Sequence, residues 1–429
     1  MRKALEFAEK AFTVLSLLHY SGGPIVVILA GGVSEGEAAV DSFDPVPVRV
    51  LYLFNYIVTT LLVFARWKKA AYILSKDRFL WVLITIAALS IFWSANPTIT
   101  QSRIIGLIGT SLFALYIATR YSLKQQVQLL GWVFGLAVIL SLIFIVALPK
   151  YGIMGGVHAG AWRGIYPHKN SAGIIMMLSS IIFLLLAMSE KKKSLILWSG
   201  FGLSVIILLL TRSTSSLLNL INLLTTLFVF RTLRLRIGMM VPMLCLIASI
   251  SASLYVIIQT NPDSLFASFG KSSNLSGRSE LWAAVLDVIW KRPLLGYGYG
   301  AFWLGEGSEA VNIWYVVGWK APYAHNGWLD TWLTLGLFGL ITCITGFIFS
   351  FLRSIYWVCR TKTLETCWPG ICIVYMFLAN MTESVFMVQN GFSWILYLTA
   401  ALSVLPPPEK PNEKLIYSRS QNSEVRIQE

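Results

Sequence analysis

Charged residues are scarce in this chain, and the scarcity excludes a large soluble domain. Only 13% of the 429 residues are charged, whereas 56% are hydrophobic. A soluble protein of this length needs a polar shell that this composition cannot supply. Cysteine is also sparse: all five lie in apolar stretches or at the ends of such stretches. We therefore expect no disulfide framework in any exported segment.

Motifs for metals and nucleotides are missing as well. The sequence has no Asp-x-Asp pair, and its four histidines show no zinc-ligand spacing with one another or with cysteine. It has no Walker loop, and the glycine-rich segment 296–300 lacks the flanking strand and helix of a nucleotide loop. A turned connection is expected there instead. Any catalysis is expected to use Arg and His, with no metal and no cofactor.

The abundant feature is the long apolar block. A helix of roughly 20 apolar residues crosses a hydrocarbon core of about 30 Å. The sequence therefore predicts an all-α, polytopic membrane protein with about twelve spans, of which 79–93 is short. Arg212 divides one long apolar run into two spans. The predicted spans are 11–31, 48–65, 79–93, 103–119, 127–148, 171–188, 195–211, 213–230, 237–258, 327–356, 367–385 and 391–405.

The basic residues indicate an orientation for these spans. Cytoplasmic loops carry an excess of Lys and Arg, and most basic residues fall on the inner side if the N-terminus is cytoplasmic. The first outer loop, near Glu35 and Asp44, is acidic and agrees. We expect both termini in the cytoplasm and a first apolar stretch that is retained rather than cleaved. The net charge of +14 then reflects topology, not nucleic-acid binding.

Two outer segments, 149–170 and 259–325, are too long to be simple turns, and long loops are commonly functional. The second is rich in tryptophan and contains apolar residues at helical spacing over 278–292, which predicts an amphipathic helix that lies along the membrane surface or over the helix bundle. The predicted organisation is 1–258 with nine spans and the basic outer loop 149–170, 259–325 as a periplasmic loop domain, 326–405 with three spans, and 406–429 as a disordered cytoplasmic tail.

Cationic residues near the outer ends of the spans need an explanation, because burying charge there is costly. Arg212 stands between two apolar spans and needs an anionic partner or a watery cavity; Glu383 is a candidate partner, and snorkelling is the alternative. Arg163, Arg212 and Arg278 together would suit a diphosphate, since Arg binds phosphate oxygens with a bidentate fork. Each alone could equally be a solvated loop charge. His325 or Asn326 can cap the span that starts at 327.

Four short motifs, in this order and all on the predicted outer side, resemble the O-antigen ligase and polymerase superfamily, most closely its ExoQ-like exopolysaccharide polymerases. The resemblance covers about 155 to 340, and the N-terminal third matches only as spans. The motifs are 164–170 (GIYPHKN), 211–214 (TRST), 277–282 (GRSELW) with 293–298 after it, and 324–329 (AHNGWL) with 336–340 after it.

The resemblance implies a GT-C-like, integral inner-membrane glycosyltransferase. Such an enzyme acts on undecaprenyl-diphosphate-linked saccharides on the periplasmic side, without metal or nucleotide sugar. The family's essential positions fall on Arg212 and Arg278, expected to hold the lipid diphosphate, and on His325, expected to act as base or positioner. Implied partners are the lipid bilayer and chain-length regulator and flippase proteins, not nucleic acid. The further substrate-binding candidates are Arg163, Lys169, Asn170 and Asn326.

The acceptor stays open at this point. A polymerase would pass the growing chain from its lipid diphosphate to a hydroxyl of the next lipid-linked unit, with inversion at the anomeric carbon. A ligase would pass the chain to lipid A-core or to protein. A flippase or exporter for the same lipid-linked sugars would need paired polar residues inside the spans, and these are few. A membrane protein with purely structural loops is the plainest alternative.

Overall fold

The computed structural model describes residues 2–32, 46–190, 194–235, 278–361 and 363–405, together with Lys192 and Met239. Apart from Met239, the predicted span 237–258 lies outside these residues, as do the segments 259–277 and 406–429. In the described ranges the chain is all-helical. The α-helices are α1 Arg2–Tyr20, α2 Ile25–Leu29, α3 Val46–Phe64, α4 Trp67–Lys76, α5 Arg78–Leu89, α6 Pro97–Arg120, α7 Leu123–Ala147, α8 Pro149–Gly152, α9 Lys169–Ser189, α10 Ser194–Leu210, α11 Thr214–Thr232, α12 Arg278–Ile289, α13 Ala310–Val317, α14 Gly327–Arg360, α15 Trp368–Asn380 and α16 Phe392–Ser403.

Six of these helices, α3, α6, α7, α9, α11 and α14, are long and apolar enough to cross a membrane. Four shorter apolar helices cover Arg78–Phe92, Ser194–Leu210, Leu364–Asn380 and Phe392–Ser403. All ten helices fall where the sequence predicted spans. These helices indicate that the chain is an all-helical integral membrane protein. The total of twelve spans stays a prediction.

Two regions differ from the predicted pattern. The first predicted span is interrupted, because α1 ends before Gly22, whose φ of 91° is the left-handed conformation that commonly ends helices. Pro24 follows and cannot donate a backbone hydrogen bond to continue α1. The basic segment between the predicted spans 48–65 and 79–93, expected as an inner loop, contains a helix. This helix, α4, buries Ala70 and Ile73 against its neighbours. The sequence did not predict α4, because its many Lys and Arg residues obscured the short amphipathic periodicity.

The main core is built around α6 and α9, of which roughly three quarters of the apolar window is buried (72% and 78%). Helix α6 packs against α3 and α16, and α9 packs against α7, α10 and α11. Large buried side chains fill the core that these helices form, among them Tyr116, Phe134, Trp368 and Trp394. These two helices form the frame on which the connecting segments are positioned.

The segment predicted to lie on the outer side, described over 278–325 and called the outer segment, has an apolar core of its own. Helix α12 buries Leu281, Val285 and Ile289, three of the residues whose spacing predicted an amphipathic helix. They pack with Phe302 and Ile313, among others. The helix ends at Ile289, short of the predicted 292. The face is therefore buried within the protein rather than laid on a lipid surface.

Helix α14 kinks at Gly336, where φ is 68° and ψ is −172°. The glycine-rich connection docks onto this kink. The Tyr297 N–H donates to the Leu333 carbonyl at 2.9 Å, and the Leu337 N–H donates to the Pro293 carbonyl at 2.9 Å. A Cβ at position 336 would collide with the Leu294 carbonyl, so only glycine fits. Segment 296–300 is thus a tight connection that joins the outer segment to a spanning helix.

Candidate active site

The candidate residues share one end of the helix bundle. The other end is marked by Glu9, which pairs with Arg120 at the end of α6 at 3.0 Å, and by Arg234, which donates to the Val358 carbonyl near the end of α14 at 3.1 Å. Following the helices away from these contacts leads to the starts of α9, α11 and α14 and to the end of α10. We call this second end the site end. All seven predicted site residues lie there.

Arg212 forms the turn between α10 and α11. Its φ is 53°, a left-handed conformation that costs a non-glycine residue about 1–3 kcal/mol. The side chain is exposed, and within the described residues it has no acidic partner. Its guanidinium reaches over Gly160, where an added Cβ would lie 3.8 Å from Nη2. An unpaired cation is therefore presented at the site end in a strained turn.

Lys169 and Asn170 begin α9 beside this turn. The Lys169 Nζ donates to the Arg212 carbonyl at 3.4 Å. The Ser213 hydroxyl donates to Asn170 Oδ1 at 3.3 Å. His168 caps the helix, because its Nδ1 accepts from the Asn170 N–H at 3.1 Å. The motifs 164–170 and 211–214 are thus brought together by direct contacts.

Arg163 is placed differently from the other candidates, because its side chain is completely buried. Its Nε donates to the Tyr151 carbonyl at 2.8 Å, its Nη1 to the Pro167 carbonyl at 3.3 Å and its Nη2 to the Lys150 carbonyl at 3.1 Å. Nη2 also donates to the Gly32 carbonyl. This geometry favours a structural role, in which Arg163 ties the 149–170 loop to the first outer turn, over the substrate contact predicted for it.

Arg163→Lys is expected to lower stability rather than substrate affinity. Lysine has no planar fork with which to reach four carbonyls, and each buried group left unsatisfied costs about 1–3 kcal/mol. Thermal unfolding of the purified protein in detergent should occur at a clearly lower temperature, with the KM of the remaining folded enzyme unchanged. Lys150→Ala, an exposed side chain nearby, is the matched control. A raised KM at an unchanged unfolding temperature would restore the substrate-binding interpretation.

His325 precedes α14 and also has a left-handed backbone, with φ of 50°. Asn326 caps the helix: its Oδ1 accepts from the Trp328 and Leu329 N–H groups at 3.0 and 3.3 Å. The side chain of Asn326 is therefore used by the helix start. The His325 ring packs against Tyr323, with ring centroids 4.3 Å apart.

Glu383 joins His325 to Arg278. Its Oε2 lies 3.2 Å from His325 Nδ1 and accepts from the Tyr323 hydroxyl at 2.9 Å. Its Oε1 lies 3.8 Å from Arg278 Nη2. The prediction of Glu383 as the partner of Arg212 is therefore not met in the described structure, since this carboxylate faces the other two candidate residues. The sequence could not predict this pairing, because residue 383 is far along the chain from residues 278 and 325.

These contacts shift the pKa values of the groups involved. Burial opposes ionisation of Glu383, but the hydrogen bond and charge of His325, the Tyr323 hydroxyl and Arg278 outweigh it, so the pKa of Glu383 is lowered. Burial, followed by the charge of Glu383, raises the pKa of Tyr323. Glu383 is thus a carboxylate and Tyr323 a neutral donor at neutral pH.

Asp330, in the first turn of α14, stabilises the segment that contains His325 through hydrogen bonds. Its Oδ1 accepts from Trp303 Nε1 at 2.8 Å, and its Oδ2 accepts from the Ala324 N–H at 3.0 Å. The Ser384 hydroxyl also donates to Oδ2. One carboxylate therefore holds the backbone beside His325 and the residue beside Glu383. Sequence analysis missed Asp330 and Tyr323, although both stand within five residues of His325.

The candidate residues thus form two groups at the site end. Lys169, Asn170 and Arg212 make up one, and Arg278 with His325 makes up the other around Glu383. In the part of the chain described, no hydrogen bond or ion pair joins the two groups directly. No set of three His, Cys, Asp or Glu side chains in those ranges is arranged to hold a metal ion.

Comparison with known proteins supports the resemblance found in the sequence. Residues 199–344 match the model of a family described as O-Antigen ligase, and this stretch contains Arg212, Arg278 and His325. The chain is 27% identical over 274 residues to the exopolysaccharide production protein ExoQ of Rhizobium meliloti, an alignment covering 61% of this chain and 62% of that protein. It is 29% identical over 133 residues to the ComP-specific O-oligosaccharyltransferase of Acinetobacter baylyi, covering 30% of this chain and 23% of that protein.

The alignments with the two relatives span less than two thirds of each relative's length. The family match nevertheless contains three of the four motifs found in the sequence, those that begin at residues 211, 277 and 324. The predicted resemblance is confirmed: this chain is similar to proteins of the O-antigen ligase and polymerase superfamily, including the exopolysaccharide production protein ExoQ.

Proposed function

We propose that this chain is a glycosyltransferase that polymerises undecaprenyl-diphosphate-linked repeat units into exopolysaccharide or O-antigen at the periplasmic face of the bacterial inner membrane. One observation carries the proposal. Arg212 and His325 are two of the four described non-glycine residues with positive φ, and both lie at the site end. Strained backbone of this kind persists where the surroundings enforce it, and it clusters at functional sites.

The donor's leaving group fits the cations at this end. As the bond between the sugar and the lipid diphosphate breaks, negative charge grows on the bridging oxygen. Arg212, exposed and unpaired within the described residues, would bind the diphosphate, with Lys169 beside it. The guanidinium of Arg278, whose side chain is 23% exposed, would bind further oxygens of the diphosphate. Fixed cations stabilise the developing charge without reorganising in the transition state, so the protein itself supplies this stabilisation.

The acceptor would be activated by His325. Its Nδ1 faces Glu383, and in the described structure its Nε2 has no hydrogen-bond partner. Nε2 would take the proton of the acceptor hydroxyl as that oxygen forms a bond to the anomeric carbon. The bond from that carbon to the diphosphate breaks on the opposite face, and its electron pair leaves with the diphosphate. The product has an inverted anomeric configuration.

An apolar groove beside the site supports a lipid-linked donor. It lies between α14 and α15, has a volume of about 500 Å³, and includes Phe347 and Phe377 in its lining. It also includes Trp328 and Met381, which stand three residues after His325 and two before Glu383. Two residues of the groove are therefore close in the chain to the cluster around Glu383. A polyprenyl chain in the groove would place its diphosphate next to Arg278.

Polymerisation is favoured over ligation by similarity to a protein named for exopolysaccharide production, which aligns over more of this chain. Ligation remains the second candidate, because the other relative is named an O-oligosaccharyltransferase. The same cations and histidine serve either reaction, since the donor is shared and only the acceptor differs. Chain-length regulator and flippase partners stay predictions.

Deleting the gene and sizing the surface polysaccharide tests the proposal. A polymerase mutant accumulates single repeat units on the lipid carrier. A ligase mutant strands full-length chains on that carrier, and loss of outward-facing intermediates indicates a transporter. Expression of the wild-type gene should restore the polymer. Either of the last two outcomes would overturn polymerisation as the function.

A further inference from the structure

We propose that Glu383 is a positioning residue that couples the cation for the donor, Arg278, to the histidine for the acceptor, His325. The proposal rests on the proposed function for the identity of donor and acceptor. It adds a regulation of that site: binding of the donor diphosphate prepares the histidine to accept a proton. The physical basis is that one carboxylate serves both residues with separate oxygens.

The carboxylate is held firmly enough for this role. The Glu383 N–H donates to the Ala379 carbonyl at 2.8 Å. The buried Asn380 side chain accepts from the Val385 and Phe386 N–H groups at 3.3 and 3.1 Å and so fixes the turn that follows. Glu383 itself is only 18% exposed. Its position is therefore set by the α15–α16 connection and not by its two partners.

The carboxylate determines which nitrogen of the histidine is the base. A neutral His325 facing a carboxylate at 3.2 Å must carry its proton on Nδ1 to donate a hydrogen bond. Nε2 then holds the lone pair and faces no described partner. When Nε2 takes a proton, the imidazolium that forms is stabilised by the adjacent negative charge. This is the geometry by which a buried carboxylate orients a catalytic histidine.

The second oxygen supplies the coupling. Arg278 lies 3.8 Å from Glu383 Oε1, a looser contact than that of His325 with Oε2. A diphosphate offers Arg278 a stronger, bidentate partner and draws it away from the carboxylate. The negative charge of Glu383 is then neutralised less by Arg278 and acts more fully on His325. The other charged or titratable groups facing the pair are Tyr323, which donates to Oε2, and Asp330 at the start of α14.

Nuclear magnetic resonance of labelled histidine tests the coupling directly. The chain has only four histidines, so the His325 ring signals can be assigned with a His325→Gln variant. We expect the difference between the Nδ1 and Nε2 chemical shifts of His325, measured at one fixed pH, to change when saturating inorganic pyrophosphate is added to the full-length protein in nanodiscs. In Glu383→Gln this difference should depart from the wild-type value from the start, and the added pyrophosphate should change it much less. An equal pyrophosphate response in the wild type and Glu383→Gln would overturn the coupling.

Activity measurements separate this role from a merely structural one. Glu383→Gln should lower kcat about 10²-fold and move the acid limb of the pH profile, whereas Glu383→Asp should recover part of the loss. Glu306→Gln, in an exposed ion pair with Lys320 of the same outer segment, is the matched control and should behave as wild type. A reduced kcat with an unmoved acid limb would reject Glu383 as a positioning residue. If pyrophosphate fails to bind, the proposed function is in doubt, while the comparison of the His325 ring signals without pyrophosphate still tests the Glu383–His325 pair.

Discussion

Arg212→Ala is expected to reduce turnover about 10²- to 10³-fold while the protein still folds, because a fixed donor to developing charge is worth about that much. The side chain is exposed and unpaired among the described residues, so its removal orphans no buried group. The measurement is polymer synthesis from purified lipid-linked repeat units, with thermal unfolding as the check on folding. Arg212→Lys should recover only part of the activity, since an ammonium cannot fork onto a phosphate.

Arg212→Gly separates the side chain from the backbone of the turn. With φ of 53°, the position suits glycine better than any other residue, so this variant should be at least as stable as Arg212→Ala. It should be equally inactive, because the cation is gone. Lys150→Ala, another exposed cation of the 149–170 loop, should retain full activity. Wild-type turnover by both Arg212 variants would remove this residue from the site.

His325→Ala is expected to reduce turnover about 10²- to 10⁴-fold, the usual contribution of a positioned acid or base. Most of the loss should fall on kcat, and the KM for the donor should change little if the arginines hold the diphosphate. The acid limb of the pH profile should disappear, because the group that must be deprotonated is missing. Lys320→Ala, in the same outer segment and exposed, is the matched control.

His325→Gln distinguishes a base from a positioner. Glutamine can still donate a hydrogen bond but cannot accept and carry a proton at neutral pH. An inactive Gln variant would assign His325 as the base. A Gln variant with a tenth or more of wild-type turnover would instead assign it to orientation of the acceptor, and the proton would then have to leave by another route.

Features set by local sequence were predictable. The length of apolar blocks located ten helices, and Arg212 correctly marked the break between α10 and α11. The preference of Asn for a helix start anticipated the cap at Asn326, whose side chain accepts from two N–H groups. The periodicity over 278–292 identified the buried face of α12. In each case the physical cause acts within one continuous segment of the chain.

Features set by tertiary contacts were not predictable. Arg163 was assigned to substrate from its charge, but its environment depends on a carbonyl of Gly32, 131 residues away. Glu383 was noticed as a carboxylate near an outer helix end, yet its partner was chosen wrongly, because the spatial order of helices decides which cation it meets. Family resemblance supplied the candidate site residues, and only the coordinates showed the carboxylate of Glu383 between two of them, Arg278 and His325.

The kink at Gly336 has a mechanical consequence for the enzyme. Above it, the opening turns of α14 are tied by backbone hydrogen bonds to the 293–298 connection and move with the outer segment. Below it, the rest of α14 packs with the membrane helices, as the burial of Cys343 and Phe347 in the main core shows. The two parts of α14 can therefore change their relative angle at Gly336. A pulling force that a bound polysaccharide exerts on the outer segment would tilt the first turns of α14, next to His325, relative to the membrane helices.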